Sequence, residues 1–253
     1  MQSLIHLLKQ RQSSRTPFDE NRPIGRTELQ QILEAGAWAP TAHNMQNFEL
    51  VVVDDKDLIA RIRDLDFPTS ETFIQENYLQ LSFSEAELRS KRTGVLSTMF
   101  PKSWLTPGLI PERGRSKEAE HPLLERHHQL LSCPMLVLML YNPARRAPAS
   151  EGDFLGVMSL GCVLENMWLM AVALGIGLHV VSALSGETVE PAVKRMLQIP
   201  DELRIAIAFR LGYPLASPAY LRVRRDVGDF VHFNGFGRKG ILVGLSDEVQ
   251  AVN

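Results

Sequence analysis

The stretch Ala39-Pro40-Thr41-Ala42-His43-Asn44-Met45-Gln46-Asn47-Phe48 runs directly into Glu49-Leu50-Val51-Val52-Val53. Upstream of it, Glu28-Leu29-Gln30-Gln31-Ile32-Leu33-Glu34-Ala35 is a run of good helix formers. Thr27 is placed as its N-cap, and Pro40 marks its end. Downstream, the β-branched valines predict a strand over Phe48 to Val53. The loop between helix and strand presents one hydroxyl (Thr41) and three carboxamides (Asn44, Gln46, Asn47). Such neutral donors and acceptors suit the edge of a flat heterocycle better than a metal or a bare charge. A loop anchored at both ends by regular structure can hold them in fixed positions.

The same helix-then-strand alternation recurs along the chain. Leu4, Leu7 and Leu8 lie on one face of a short N-terminal helix. Asp57 to Leu65 reads as a helix, Pro134 to Tyr141 as a strand buried on both faces, and Asp153 to Leu174 as a long apolar helix. Leu178 to Leu184 and Leu203 to Leu211 read as strands, with a helix over Glu187 to Leu197 between them. Asp229 to Phe233 reads as extended. Residues 67–130 mix charged helical pieces with Pro101, Pro107, Pro111 and Pro122, a long excursion of the kind that forms lids. No internal repeat is visible. The pattern predicts α+β or α/β organisation around one sheet.

The 253 residues suffice for one sizeable core. An apolar fraction of 45% and a charged fraction of 22% are those of an ordinary globular chain. A formal net charge of −2 gives no electrostatic reason for a nucleic-acid or anionic-membrane partner. The only two cysteines, Cys133 and Cys162, sit in apolar surroundings, which argues for a reducing, cytoplasmic setting rather than a disulfide framework. Val157 to Val181 is long enough to span a bilayer. It carries Glu165, Asn166 and His179 and is interrupted by Gly161, Gly175 and Gly177, so it is read as a buried helix followed by a strand. That helix is apolar nearly all round and one small sheet would not cover it, so a second subunit is its natural partner.

Two basic clusters could hold an anion. In Arg11-Gln12-Ser13-Ser14-Arg15 a helical conformation would put Arg11 and Arg15 on one face. In Arg222-Val223-Arg224-Arg225 an extended one would put Arg222 and Arg224 on one side. Guanidinium forks and serine hydroxyls are well suited to a phosphate. Other signals carry less. Gly235-Phe236-Gly237-Arg238-Lys239-Gly240 spells G-x-G-x-x-G, but too little chain follows for a dinucleotide-binding βαβ unit. His121, His127 and His128 lack the spacing of a helical metal pair, so no metal is expected. In Gly156-Val157-Met158-Ser159-Leu160-Gly161 the serine is one position late for a nucleophile elbow.

Taken in order, these segments resemble the FMN-dependent nitroreductase family. Arg11 to Arg15 is similar to its Arg-x-Ser-x-Arg/Lys, and Pro40 to Phe48 to its Pro-Ser-x-x-Asn-x-Gln-Pro-Trp. Gly161 to Ala171 looks like its central helix, with Asn166 at the usual asparagine. Ala173-Leu174-Gly175-Ile176-Gly177 looks like its Leu-Gly-Leu-Gly element, and Gly212-Tyr213-Pro214 with Arg222 to Asn234 like its closing strand and tail. Asn47 stands where proline is common, Phe48 where tryptophan is common, and Ser182 near a common glutamate or glycine. These departures bear on substrate choice more than on the cofactor.

The resemblance implies a single α+β domain over 1–253 with a lid-like insert at about 67–130. In it, helices flank a central, mixed but mostly antiparallel sheet in three layers. It implies a homodimer that exchanges its C-terminal segments and binds FMN at the interface. Arg11, Gln12, Ser13 and Arg15 would take the phosphate and ribityl side, with Arg222 and Arg224 helping. Pro40, Thr41, Ala42, Asn44 and Gln46 would line the isoalloxazine or reach it from the partner subunit. Val181, Ser182 and Ala183 would pass beside its N5 edge. The implied activity passes hydride from NADH or NADPH through the flavin to a small-molecule oxidant: a nitroaromatic, quinone or enone. The cycle would be ping-pong and need no protein nucleophile. Reductive dehalogenation, flavin fragmentation and flavin binding without turnover are the alternatives.

Overall fold

The computed structural model describes residues 3–65, 67, 79–97, 132–148, 152–216 and 221–240. Their strands are β1 (Glu49–Val53), β2 (Ser82–Phe83), β3 (Val95–Leu96), β4 (Met135–Tyr141), β5 (Gly177–Val181) and β6 (Arg204–Gly212). Their helices are α1 (Leu4–Gln10), α2 (Arg26–Ala37), α3 (Lys56–Arg63), α4 (Glu85–Lys91), α5 (Phe154–Ala173), α6 (Glu190–Leu197) and α7 (Val227–Phe230). The described chain divides into two compact units. One comprises Met1–Thr69 with Gly114–Ala219, the other Ser70–Arg113 with Tyr220–Asn253.

In the first unit a four-stranded sheet runs in the order β1-β4-β6-β5, every neighbour antiparallel. The unbroken apolar run of β4 puts it in the middle, because both of its faces are covered. Leu136, Leu138 and Leu140 point into a core built with Ile59 and Ile62 of α3 and Val193 of α6. The alternate residues Met135, Val137 and Met139 meet Leu29 and Ile32 of α2 and Val163 and Met167 of α5 on the other face. Helix, sheet and helix thus form the three expected layers. The crossing of α2 over α5 is close at Gly36, where a Cβ would come within 2.9 Å of Met167 Cγ. Asn166 Nδ2 ties the same crossing to the Ala35 carbonyl at 3.1 Å.

Four local expectations are corrected. The N-cap of α2 is Gly25 rather than Thr27, because the Leu29 amide closes the first turn on the Gly25 carbonyl. Residues 11–15 are not helical. The Ser14 amide donates to the Leu178 carbonyl instead, in a parallel bridge between Ser13 and Leu178. The strand expected to reach Leu184 stops at Val181, and a 3₁₀ turn follows over Ser182–Ser185. Asp229 and Phe230 belong to the short helix α7, fixed by a capping box between Asp226 and Asp229.

Among the described residues, helix α5 is covered on one side only. Val163, Met167 and Ala171 are buried, whereas Phe154, Val157 and Met158 are 70%, 51% and 52% exposed. By length and composition α5 is the one described helix apolar enough to cross a membrane. Yet it carries the buried packing of a core helix along one face.

In the second unit β2 and β3 pair in parallel beside α4, whose Ser84–Glu87 capping box holds the Glu87 carboxyl below its ordinary range. Arg92, in the left-handed region at φ 53°, carries its guanidinium to Asp226 and Asp229. Lys239 Nζ donates to the Gly228 and Asp229 carbonyls at the end of α7. Of the insert expected at 67–130, residues 68–78 and 98–130 lie outside the described residues, His121, His127 and His128 among them.

Candidate functional site

Two loops of the first unit, 11–16 and 40–47, carry most of the residues singled out by sequence, and both dock on α5. The first leaves α1 at Arg11, whose backbone (φ −55°, ψ 123°) has already turned extended. Arg11 Nε lies 3.3 Å from Glu165 Oε1, and its guanidinium sits 4.6 Å from the Trp168 ring centroid. Arg11 is therefore bound to α5. Arg15 is exposed, Gln12 and Ser13 are half-buried, and Ser14 is buried. Beyond them Phe18 is fixed in a dent in the sheet. A Cβ on Gly177 or on Gly212, which face each other across β5 and β6, would meet its ring at 2.8 or 2.6 Å.

The second loop holds itself in an unusual shape. His43, Asn44 and Gln46 have φ of 52°, 52° and 48°, three left-handed non-glycine residues in four positions. Each costs roughly 1–2 kcal/mol, so surrounding bonds have to enforce them. The Gln46 amide donates to Thr41 Oγ1 at 3.1 Å, and Gln46 Nε2 to Asn44 Oδ1 at 3.1 Å. The Ala42 amide donates to Ser159 Oγ at 3.0 Å, and that hydroxyl donates to the Leu155 carbonyl at 2.7 Å. Asn47 Nδ2 donates to the Asn142 and Arg145 carbonyls, and its Oδ1 accepts from the Asn142 amide. Asn47 thus clamps the loop to the turn after β4, a physical role for an amide where proline is common.

Ser159 and Glu165 are six residues apart, so the two docking points are about 9 Å apart along the helix axis. Pro40, Asn44 and Gln46 are exposed, while Thr41 and Ala42 are half-buried. Val181 is buried at the end of β5, Ser182 is exposed and Ala183 half-buried where the chain turns away. Arg222 and Arg224 lie in the second unit, exposed and alternating with the half-buried Leu221 and Val223, as an extended segment requires. Among the described residues no three His, Cys, Asp or Glu side chains gather as a metal cluster. Burial pushes the Cys133 thiol up to about 12, which makes it a poor nucleophile. A cavity of about 440 Å³ opens beside Asn47, Tyr141, Arg145 and Gln198, but neither Arg15 nor Ser13 lines it.

Sequence reasoning missed Ser159, Arg210 and His179 as parts of this site. Ser159 sits in a near-match to a nucleophile elbow, yet its hydroxyl accepts from the Ala42 amide of the loop. Arg210 is completely buried on β6, opposite His179 on β5. A lone charge inside the apolar strand Ile205 to Leu211 was the available signal.

The donor set suits a phosphorylated, planar ligand such as FMN. Arg15 and Ser13 offer a fork and a hydroxyl. Among the described residues, the Asn44 Nδ2 donors and the Gln46 Oε1 acceptor remain outside the loop's own bond. The indole Nε1 of the buried Trp168, beside Arg11, has no acceptor among the described residues.

A family model described as the nitroreductase family matches residues 8–213. Among solved structures, the chain is similar to a nitroreductase with bound FMN from Bacteroides fragilis. The identity is 20% and the TM-score 0.55, over 92% of this chain and 99% of that one. It is similar also to an FMN-dependent nitroreductase from Clostridium difficile, at 15% identity and TM-score 0.55, over 92% and 100% of the two chains. A nitroreductase family protein from Clostridium novyi matches at 17% identity and TM-score 0.53, over 94% and 97%. Comparison with curated proteins found no match.

Proposed function

The chain belongs to the nitroreductase family, and from that premise we propose that it is an FMN-dependent oxidoreductase, working as a homodimer in a reducing cytoplasm. The observation that carries this reading is the docking of a basic loop and a neutral amide-rich loop on one helix, about 9 Å apart. Bound FMN would supply hydride transfer from NADH or NADPH to a nitroaromatic, quinone or enone acceptor. The chain's own residues bind and orient. Arg15 and Ser13 neutralise and hold the phosphate. Asn44 and Gln46, held in their left-handed shape before any ligand arrives, meet the ring's polar edge without further ordering. The backbone at Val181, Ser182 and Ala183 contributes small groups beside it. A second copy of the chain covers the open apolar side of α5 around Phe154, Val157 and Met158.

Anaerobic titration tests the reading. The purified protein is expected to be yellow, to bleach with NADH or NADPH, and to recover its colour with a quinone or nitro compound. Protein that takes up no FMN defeats the proposal. A flavin that neither donor reduces defeats its catalytic part. In the same preparation Arg15→Ala should release FMN while the dimer persists on size-exclusion chromatography.

A further inference from the structure

Arg210 contributes nothing to the surface, yet hydrogen bonds to four described residues fan out from its guanidinium. Nε donates to His179 Nδ1 at 3.2 Å. Nη1 donates to the Ser132 carbonyl at 3.1 Å. Nη2 donates to the carbonyls of Ser14 at 3.0 Å and Thr16 at 2.9 Å. The guanidinium carbon also lies 4.4 Å from the centre of the Phe18 ring. Two of these contacts fall on the residues immediately before and after Arg15. Both carbonyls share the two hydrogens of Nη2, and that nitrogen is held in place because Nε and Nη1 of the same rigid plane are bonded to His179 and Ser132, an orientation a freely rotating lysine ammonium does not reproduce.

The other restraints on the segment come from the same side. Ser14 is bonded to Leu178 through its amide, and a Cβ on Gly177 would come within 2.7 Å of its hydroxyl. The backbone from Ser14 to Phe18 is thus pinned to β5 and β6 from beneath. Ser13 and Arg15 keep their side chains off the buried face.

We propose that Arg210 is the positioning residue of the phosphate loop: by fixing the carbonyls on either side of Arg15 it sets the geometry in which Arg15 and Ser13 grip a phosphate monoester, and so gives the protein its preference for FMN over riboflavin. This rests on the flavin reading above. Arg210 does not touch the ligand; it acts through the loop.

The test is equilibrium titration of the full-length protein, freed of flavin, with FMN and separately with riboflavin, following flavin fluorescence. Wild type should favour FMN. Arg210→Gln and Arg210→Lys should weaken FMN by about ten- to a hundredfold and riboflavin by no more than about threefold, so that the preference collapses as it does in Arg15→Ala. An equal loss for both flavins, or a preference kept in Arg210→Lys, overturns the inference and leaves the flavin reading intact. Wild type that binds neither flavin overturns the flavin reading itself. Arg210→Lys keeps the buried charge and decides the matter should the glutamine variant not fold. Gly177→Ala displaces the loop without touching the guanidinium and should show the same phosphate-selective loss.

Discussion

The two loops of the candidate site are held by opposite means. Loop 11–16 has a slack conformation of its own and is fixed by the core, through a fully buried arginine 196 positions away from Ser14. Loop 40–47 is strained at three residues and is fixed largely by its own neighbours and by two side-chain clamps, Ser159 and Asn47. The first is perturbed chiefly through the sheet, with a further anchor where Arg11 meets Glu165 and Trp168 of α5. The second can be retuned residue by residue. A site built this way keeps its anion grip constant while its neutral edge stays adjustable.

That contrast is broken most strongly at Arg210. Arg210→Met leaves the carbonyls of Ser14, Thr16 and Ser132 without their donor, and should lower unfolding free energy by about 3–5 kcal/mol in a urea titration. Asn47→Ala removes three bonds from the other loop. It should cost about 2–3 kcal/mol, with no effect on the preference between FMN and riboflavin.

A pH series sharpens the core-held side. Cys133 follows Ser132, and burial raises its pKa from 9.0 to about 12 in the folded chain. The folded state therefore holds the thiol proton more tightly than the unfolded one. This contribution is complete below pH 9 and is lost as pH rises from 9 towards 12, at up to about 1.4 kcal/mol per pH unit. The urea midpoint should fall between pH 8 and pH 10 in wild type, and less steeply in Cys133→Ala. The smallest effect is expected at His43, where glycine relieves φ 52° at the cost of chain entropy. His43→Gly should change stability by no more than about 1 kcal/mol, on the stabilising side.

Much of this was legible because the signals are local. The run Met135 to Leu140 has no polar position, so it had to be a central strand, and its alternate residues supply both cores. The helix over Phe154–Ala173 and the polar loop before β1 follow from composition and proline placement in the same way. What sequence did not reveal depends on distant partners. Residues 11–15 have a composition compatible with helix, and only the Leu178 carbonyl and the Arg210 fork make an extended path better. Arg210 and His179 reveal their pairing only once β5 and β6 are in register. The turn at Asp226–Asp229 was hidden for a different reason. Its capping box is a short-range device, but the aromatic alternation after it resembles a strand.

The dent formed by Gly177 and Gly212 has a consequence for how the molecule is made. Phe18 leaves the ribosome about 160 residues before Gly177 and close to 200 before Gly212, and until both have emerged its ring has no seat. The carbonyls of Ser14 and Thr16 wait equally long for Arg210. A chain that stops before residue 204 lacks the guanidinium that pins the Ser14 and Thr16 carbonyls, so trypsin should cut after Arg15 faster there than in a chain that includes Arg210. The anion grip therefore takes its shape only once β5 and β6 have paired.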